Sequence, residues 1–425
     1  MTFRKLASVC IIFLVSLCVC PAPDNAVAAD KLLQSSDLTY LGSFRVPTGN
    51  HGTTSFDYGG EPLAYYPAHN SLFIMGNITA GFNVAEISIP ALKTGSTGSL
   101  NTATILQNFV DPTGGKAGNV KAGGACCVAN GVQPGNILVV GDKLVGASYT
   151  FYDANSEAVM SHYTKGLTLS TKDSAGMFQL TGSPGASYVS GWMTDIPAAY
   201  QSALGGAHLV GNGSLNIIGR TSWGLSAFST NLANLGSVVP LPVHPLMYYN
   251  TSHPSIGQWG GGAGTYQTTW NGTGVIRGMA FPPGSRTVLF IGKVGTGTFC
   301  YGEGSACGDS CNNDKGNHAY PYQDRVWAYD VNDFIAAKNG TKQPWDVIPY
   351  AVWQLPTPYS NVCSSDLGAG GAAYDPATKR LYVSQPKVDS AFMYSSGPVI
   401  NVYSVNVDGV TTPRNPSTTT ILNVQ

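Results

Sequence analysis

Residues 370–385 read GGAAYDPATKRLYVSQ, and residues 398–405 read PVINVYSV. A short apolar run ends at Tyr374-Asp375-Pro376, and a polar turn, Ala377 to Lys379, follows. A second β-rich run returns from Arg380 to Gln385, and a third follows from Val399 to Val405. Pro cannot donate to a strand ladder, and the polar residues beside it favour a turn, so the unit reads strand, tight turn, strand, loop, strand.

The same order recurs, and repeats decide the fold before any single residue does. EPLAYYPAHNSLFIMG (61–76) is followed by VAEISIP (84–90) and TILQNFVDP (104–112). GVIRGMAFPPGSRTVLFIGK (274–293) is followed by RVWAYDVNDF (325–334) and YAVWQLPTP (350–358). Two weaker copies lie between them. One joins NILVVGDKLVGASYTFY (136–152), VMSHYTKGLTLS (159–170) and MFQLTG (177–182). The other joins WMTDIP (192–197), HLVGNGSLNIIGR (208–220), LSAFST (225–230) and VVPLPV (238–243). Four strands in each of five units predict an all-β chain. A four-stranded antiparallel sheet has two faces to bury, and packing several radially around an axis buries both. The fold expected is a β-propeller of five blades, with six or seven left open by the loop-rich middle. The ring closes either with TYLGSFRVP (39–47) or with TTTILNV (418–424).

The run YDPATKRLYVSQ resembles the β-propeller repeat proteins of the YVTN and NHL type. The resemblance covers inner-strand and turn patterns in three blades. It implies the fold and imports no activity, because propellers host unrelated chemistries.

Composition agrees. The chain has 52 glycines and only 11% charged residues, with a net charge of −1. No basic stripe marks a nucleic-acid surface. Arg4 and Lys5, an apolar run from Leu6 to Cys20, and Ala26-Val27-Ala28 form a signal-peptide pattern over residues 1–28. Residues 29–425 then form one propeller domain, secreted or periplasmic, with no membrane span. Six cysteines remain: Cys126, Cys127, Cys300, Cys307, Cys311 and Cys363. Export favours disulfides, with the pairing open among 15 arrangements.

Strand direction alternates, so two-to-three loops and blade-to-blade connectors share one face. Residues 47–60, 111–135, 182–191, 244–274 and 356–369 read as connectors, and 293–324 as the two-to-three loop of the fourth blade. All six cysteines fall in these segments, and the opposite face is expected to carry shorter turns. In CYGEGSACGDSCNNDKGNHAYPY (300–322) the cysteine spacing fits disulfides better than structural zinc. Calcium through Asp309, Asn312, Asn313 and Asp314 stays open, although the EF-hand pattern is absent.

Carboxylates near predicted strand starts on the long-loop face are Asp57, Glu61, Asp111, Asp195, Glu303, Asp324 and Asp366. Asp57 and Glu61 could flank a glycosidic bond; against that, Asp57 fits a turn cap. Arg277 could neutralise an acidic group, or simply pair with a carboxylate. His318 and Tyr320 could move a proton in a lyase, or merely pack within their loop. Trp259, Tyr266, Trp270, Tyr301 and Tyr322 are candidates for stacking on a sugar ring. Three functions follow: binding of a glycan or similar neutral extracellular ligand, cleavage of a polysaccharide, or a structural role outside the cell.

Overall fold

A computed structural model describes residues 30–77, 80–122, 131–153, 155–213, 221–257, 269–359 and 368–408. The signal-peptide pattern, Cys126, Cys127, Trp259, Tyr266, Cys363 and the 418–424 strand lie outside these residues.

In chain order, β1 (Leu38–Arg45) precedes the first complete sheet, β2 (Leu63–Tyr66), β3 (Ser71–Met75), β4 (Val84–Ser88) and β5 (Ile105–Val110). The second blade is β6 (Val132–Val140), β7 (Lys143–Thr150), β8 (His162–Gly166) and β9 (Ala175–Phe178). After β10 (Leu180–Thr181), the third blade uses β11 (Trp192–Asp195), β12 (His208–Gly211) and β13 (Ala227–Thr230). Helix α1 (Ala198–Leu204) lies between its first two strands. Past β14 (Leu241–Pro242), the blade's outermost strand is β15 (His244–Met247). The fourth is β16 (Val275–Ala280), β17 (Thr287–Gly295), β20 (Tyr322–Asp330) and β21 (Ala351–Gln354). Its two-to-three loop carries the hairpin β18 (Cys300–Gly302) and β19 (Gly316–His318), and α2 (Val331–Lys338) follows β20. The fifth is β22 (Ala372–Asp375), β23 (Arg380–Asp389) and β24 (Gly397–Val405), completed by β1 from the other end of the chain. Thr39 to Arg45 therefore closes the ring, pairing antiparallel with Val399 to Ser404.

Side-chain alternation explains why the sheets stack radially. On β3, Leu72 and Ile74 enter a core shared with Phe44, Tyr382 and Ile400 of the fifth blade. Phe73 and Met75, between them in sequence, enter a core shared with Ile137 and Leu144 of the second blade. The remaining interfaces follow the same rule. Val145 meets Met193 and Phe228, Trp192 and Leu209 meet Phe290 and Trp327, and Leu289 and Val326 meet Leu381 and Tyr403. Five sheets and five inter-blade cores close a five-membered ring.

Three expectations are corrected. The outer strand of the third blade is His244–Met247 rather than VVPLPV. Pro245 is tolerated there because an edge strand leaves one side of its ladder unpaired. Leu241–Pro242 instead pairs in parallel with Leu180–Thr181. The face opposite the long loops has short one-to-two turns at 67–70, 141–142, 281–286 and 376–379. It is not uniformly short, because its three-to-four connections at 89–104, 231–243 and 331–350 are long. Asp195 ends β11, so it belongs to that opposite face.

Candidate ligand-binding face

The innermost strands β2, β6, β11, β16 and β22 surround the axis, each touching the next. Arg277 lies in β16 where the register slips between Ile276 and Gly278. A bulged residue leaves the ladder and re-aims its side chain. Arg277 Nη1 donates to Glu61 Oε2, forming an ion pair. Glu61 precedes β2, so the pair joins blades four and one across the start of β22 in blade five. Glycine makes this approach available: a Cβ on Gly371 would lie 1.7 Å from the Glu61 carbonyl oxygen, and one on Gly278 would lie 2.5 Å from Ala372 Cβ. The Arg277 side chain is 15% exposed and Glu61 6%. Arg277 Nε is buried without a hydrogen-bond partner.

Asp57 is on the same connector as Glu61, whose pair with Arg277 marks the axial mouth of the ring, but its carboxylate is engaged by two serine hydroxyls. Its Oδ2 accepts from Ser55 Oγ at 2.5 Å and its Oδ1 from Ser396 Oγ at 2.7 Å. It thereby ties the connector into blade one to the two-to-three loop of blade five. The Tyr58 amide donates to the Ser396 carbonyl across the same junction.

The candidate set divides here, because His318, Tyr320 and Tyr322 belong to the blade-four loop. His318 is buried on β19. Its Nδ1 faces Asp309 Oδ2 at 2.9 Å and its Nε2 faces the Asp314 carbonyl at 2.8 Å. The Asp314 carbonyl can only accept, and so can an ionised Asp309 carboxylate, so the two contacts together favour the protonated imidazole. Burial opposes the charge on His318, but the bonds to Asp309 and Asp314 outweigh it and raise the pKa above the ordinary histidine value. Burial likewise pushes Asp309 up, but donors from His318, the Cys311 amide, Tyr322 and the Asn312 amide bring it below the usual carboxylate range. With both ring nitrogens turned to oxygens of its own loop, His318 has no nitrogen left to face a ligand, and its role here is structural.

Two further calcium candidates, Asn312 and Asn313, are engaged in internal bonds too. Asn313 Oδ1 accepts from the Ser305 amide and Asn312 Oδ1 from the Asp314 amide. No group of three or more His, Cys, Asp or Glu among the described residues is arranged to hold a metal ion. Cys300 and Cys307 form a disulfide, and Cys311 is disulfide-bonded as well. Tyr322 donates to Asp309 at 2.8 Å, with Lys293 Nζ 4.9 Å from its ring centroid, and Tyr320 packs edge-on against Tyr322. Trp270 is 2% exposed and packs edge-on against Trp327, which makes it a core residue rather than a ligand platform.

The exposed aromatic residues tell a sharper story. Among the described residues they are Tyr58, Tyr152, Tyr301 and Tyr394. Tyr58 is on the connector into blade one. Tyr152, Tyr301 and Tyr394 are on the two-to-three loops of blades two, four and five. All four thus belong to the long-loop face. Tyr58 and Tyr394 have φ of 55° and 56°, a left-handed conformation that costs a bulky residue on the order of 1 kcal/mol or more. Beside Tyr394, Met393 is 73% exposed.

No known protein family and no curated protein matches the sequence. Solved structures with similar chain paths include a glycosyl hydrolase from Bacteroides ovatus. It has 10% identity and a TM-score of 0.39, covering 90% of this chain and 96% of that one. Another comes from work on the GH130 family of mannoside phosphorylases, which contains glycoside hydrolases that target β-1,2 mannosidic linkages in Candida mannan. It has 11% identity and a TM-score of 0.41, covering 90% and 99%. A luciferin-regenerating enzyme has 10% identity and a TM-score of 0.37, covering 88% and 97%. Likeness at this level says nothing of a ligand, and the fold rests on the strand pairings above.

Sequence reasoning reached Tyr301 but missed Tyr58, Tyr152 and Tyr394. Their signal is visible in retrospect. SFDYGG (55–60) and AFMYSSG (391–397) each set a tyrosine among glycine and serine in a turn, where no strand partner can cover it.

Proposed function

We propose that this is a secreted propeller that binds an extracellular carbohydrate on its long-loop face. The observation carrying this reading is the one-sided distribution of exposed tyrosines. Isolated exposed apolar side chains are ordinary, but aromatic ones gathered on one functional face are a feature of binding sites. Aromatic faces stack on sugar rings without requiring charge, which suits a chain with so few charged residues. The strain held at Tyr58 and Tyr394 fits the same reading, since strained conformations cluster at ligand clamps. The disulfide between Cys300 and Cys307 suits an oxidising compartment. No helix among the described residues is long and apolar enough to cross a membrane.

The reading is tested by retention of the purified protein on a panel of immobilised plant and microbial polysaccharides. At least one should retain it. Tyr58→Ala and Tyr394→Ala should each weaken binding by roughly tenfold, the effect of losing an interface anchor worth about 1.4 kcal/mol. Retention by none of the panel, or equal retention of both variants, would contradict the reading.

A further inference from the structure

We infer that Glu61 and Arg277 form the polar reader of this face and select neutral, hydroxyl-bearing sugars over carboxylated ones. The inference rests on the carbohydrate reading and adds the class of sugar. Three observations carry it. Arg277 sits at a bulge on an inner strand, where its side chain is released from the ladder and crosses blade five to Glu61. The crossing is built in, because Gly371 and Gly278 leave no room for a Cβ beneath it. Arg277 Nε is buried with no hydrogen-bond partner, while the side chain as a whole keeps 15% exposure.

A buried N–H without an acceptor is costly, and a ligand oxygen that meets it removes that cost. The guanidinium fork can satisfy Glu61 through Nη1 and a second oxygen through Nε. Glu61 supplies the complementary function, since an ionised carboxylate is an acceptor only. One group donates and its partner accepts, so hydroxyls of one sugar can address either, and their charges cancel. A ligand carboxylate brought to Nε would find the arginine already neutralised by the Glu61 carboxylate on the same guanidinium. Two like charges drawn to one guanidinium repel each other, the more so where water is scarce. The same pair that accepts hydroxyls therefore disfavours a uronic acid.

Calorimetric titration tests this with gluco-, manno- and galacto-oligosaccharides and the matching uronate oligomers. The wild-type protein should bind a neutral series at least about tenfold more tightly than its uronate counterpart. Glu61→Gln keeps the side-chain shape and removes the negative charge. It should weaken the neutral sugar by on the order of tenfold, as expected for losing a charged hydrogen-bond acceptor, and bring the uronate closer to it. The double variant Glu61→Gln/Arg277→Gln removes both charges together, so neither is left buried alone. It should lose discrimination between the two series while keeping the wild-type circular dichroism spectrum. Equal or tighter uronate binding by the wild type, or an unchanged ratio in Glu61→Gln, overturns the inference and leaves the carbohydrate reading intact. Binding of neither series by the wild type overturns both.

Discussion

The blade-four loop and the channel mouth are both rich in polar groups, but they use them in opposite ways. In the loop, Asp309 receives hydrogen bonds from His318, Tyr322 and the amides of Cys311 and Asn312, and His318 spends both nitrogens on oxygens of the same loop. At the mouth, Arg277 pairs with Glu61 and still keeps Nε unsatisfied. The loop folds its polarity inward, whereas the mouth holds part of its polarity ready. Residue types that suggest chemistry are thus a poor guide by themselves. What distinguishes a site is whether bonding capacity is left over once the fold has been served.

The largest expected effect comes from breaking the inward network. Asp309→Ala leaves buried His318 without its carboxylate, and the Tyr322 hydroxyl and the Cys311 and Asn312 amides without their acceptor. Removing one partner of a buried pair costs about 3–5 kcal/mol. The loss should be local, read as faster proteolysis within residues 300–322 while the blades keep their thermal transition. Cleavage at the wild-type rate would contradict the hub assigned to Asp309.

A smaller effect should follow pH. His318 has a raised pKa, so its contribution is complete below the unfolded value near 6.5 and is lost as pH rises through the folded value. Asp309 has a lowered pKa, so its contribution is complete above about 3.9 and is lost as pH falls through the folded value. The loop should therefore be tightest between about pH 4 and 6.5 and loosen on either side. Hydrogen-exchange protection of its amides, corrected for intrinsic rates, reads this directly. A flat profile between pH 4 and 9 would show that the pair does not hold the loop.

Most of the architecture was legible because each blade repeats one local rule. An apolar run, a Pro-marked turn and a returning run recur at 61–76, 274–293 and 370–385, and alternation along each strand supplies both faces of the sheet. The errors arose where local signals competed. VVPLPV (238–243) has the stronger β composition, but His244–Met247 wins because it reaches the outer edge of blade three, which only the assembled sheet reveals. Closure stays open in the sequence between 39–47 and 418–424, because it depends on pairing between chain ends and both segments have suitable composition; β1 provides it.

The candidate site was legible only in pieces. Glu61 and Arg277 stand out singly, but 216 residues separate them in sequence. Their meeting depends on ring order and on the small residues at the start of β22. His318 was misleading for the converse reason: its sequence context advertises a proton carrier, and only the folded loop shows both its nitrogens occupied. Tyr58 and Tyr394 acquire meaning when the ring puts separate turns on one face.

The face itself can be tested against its opposite in one measurement. Hydroxyl-radical footprinting, with and without a mixture of soluble plant and microbial polysaccharides, reports the accessibility of individual side chains. Tyr58 and Tyr394 on the long-loop face should become protected, while Val239 and Ile348 on the other face, also exposed in the free protein, should react unchanged. Protection of Val239 and Ile348 with Tyr58 and Tyr394 unaffected, or protection at neither face, would contradict the account.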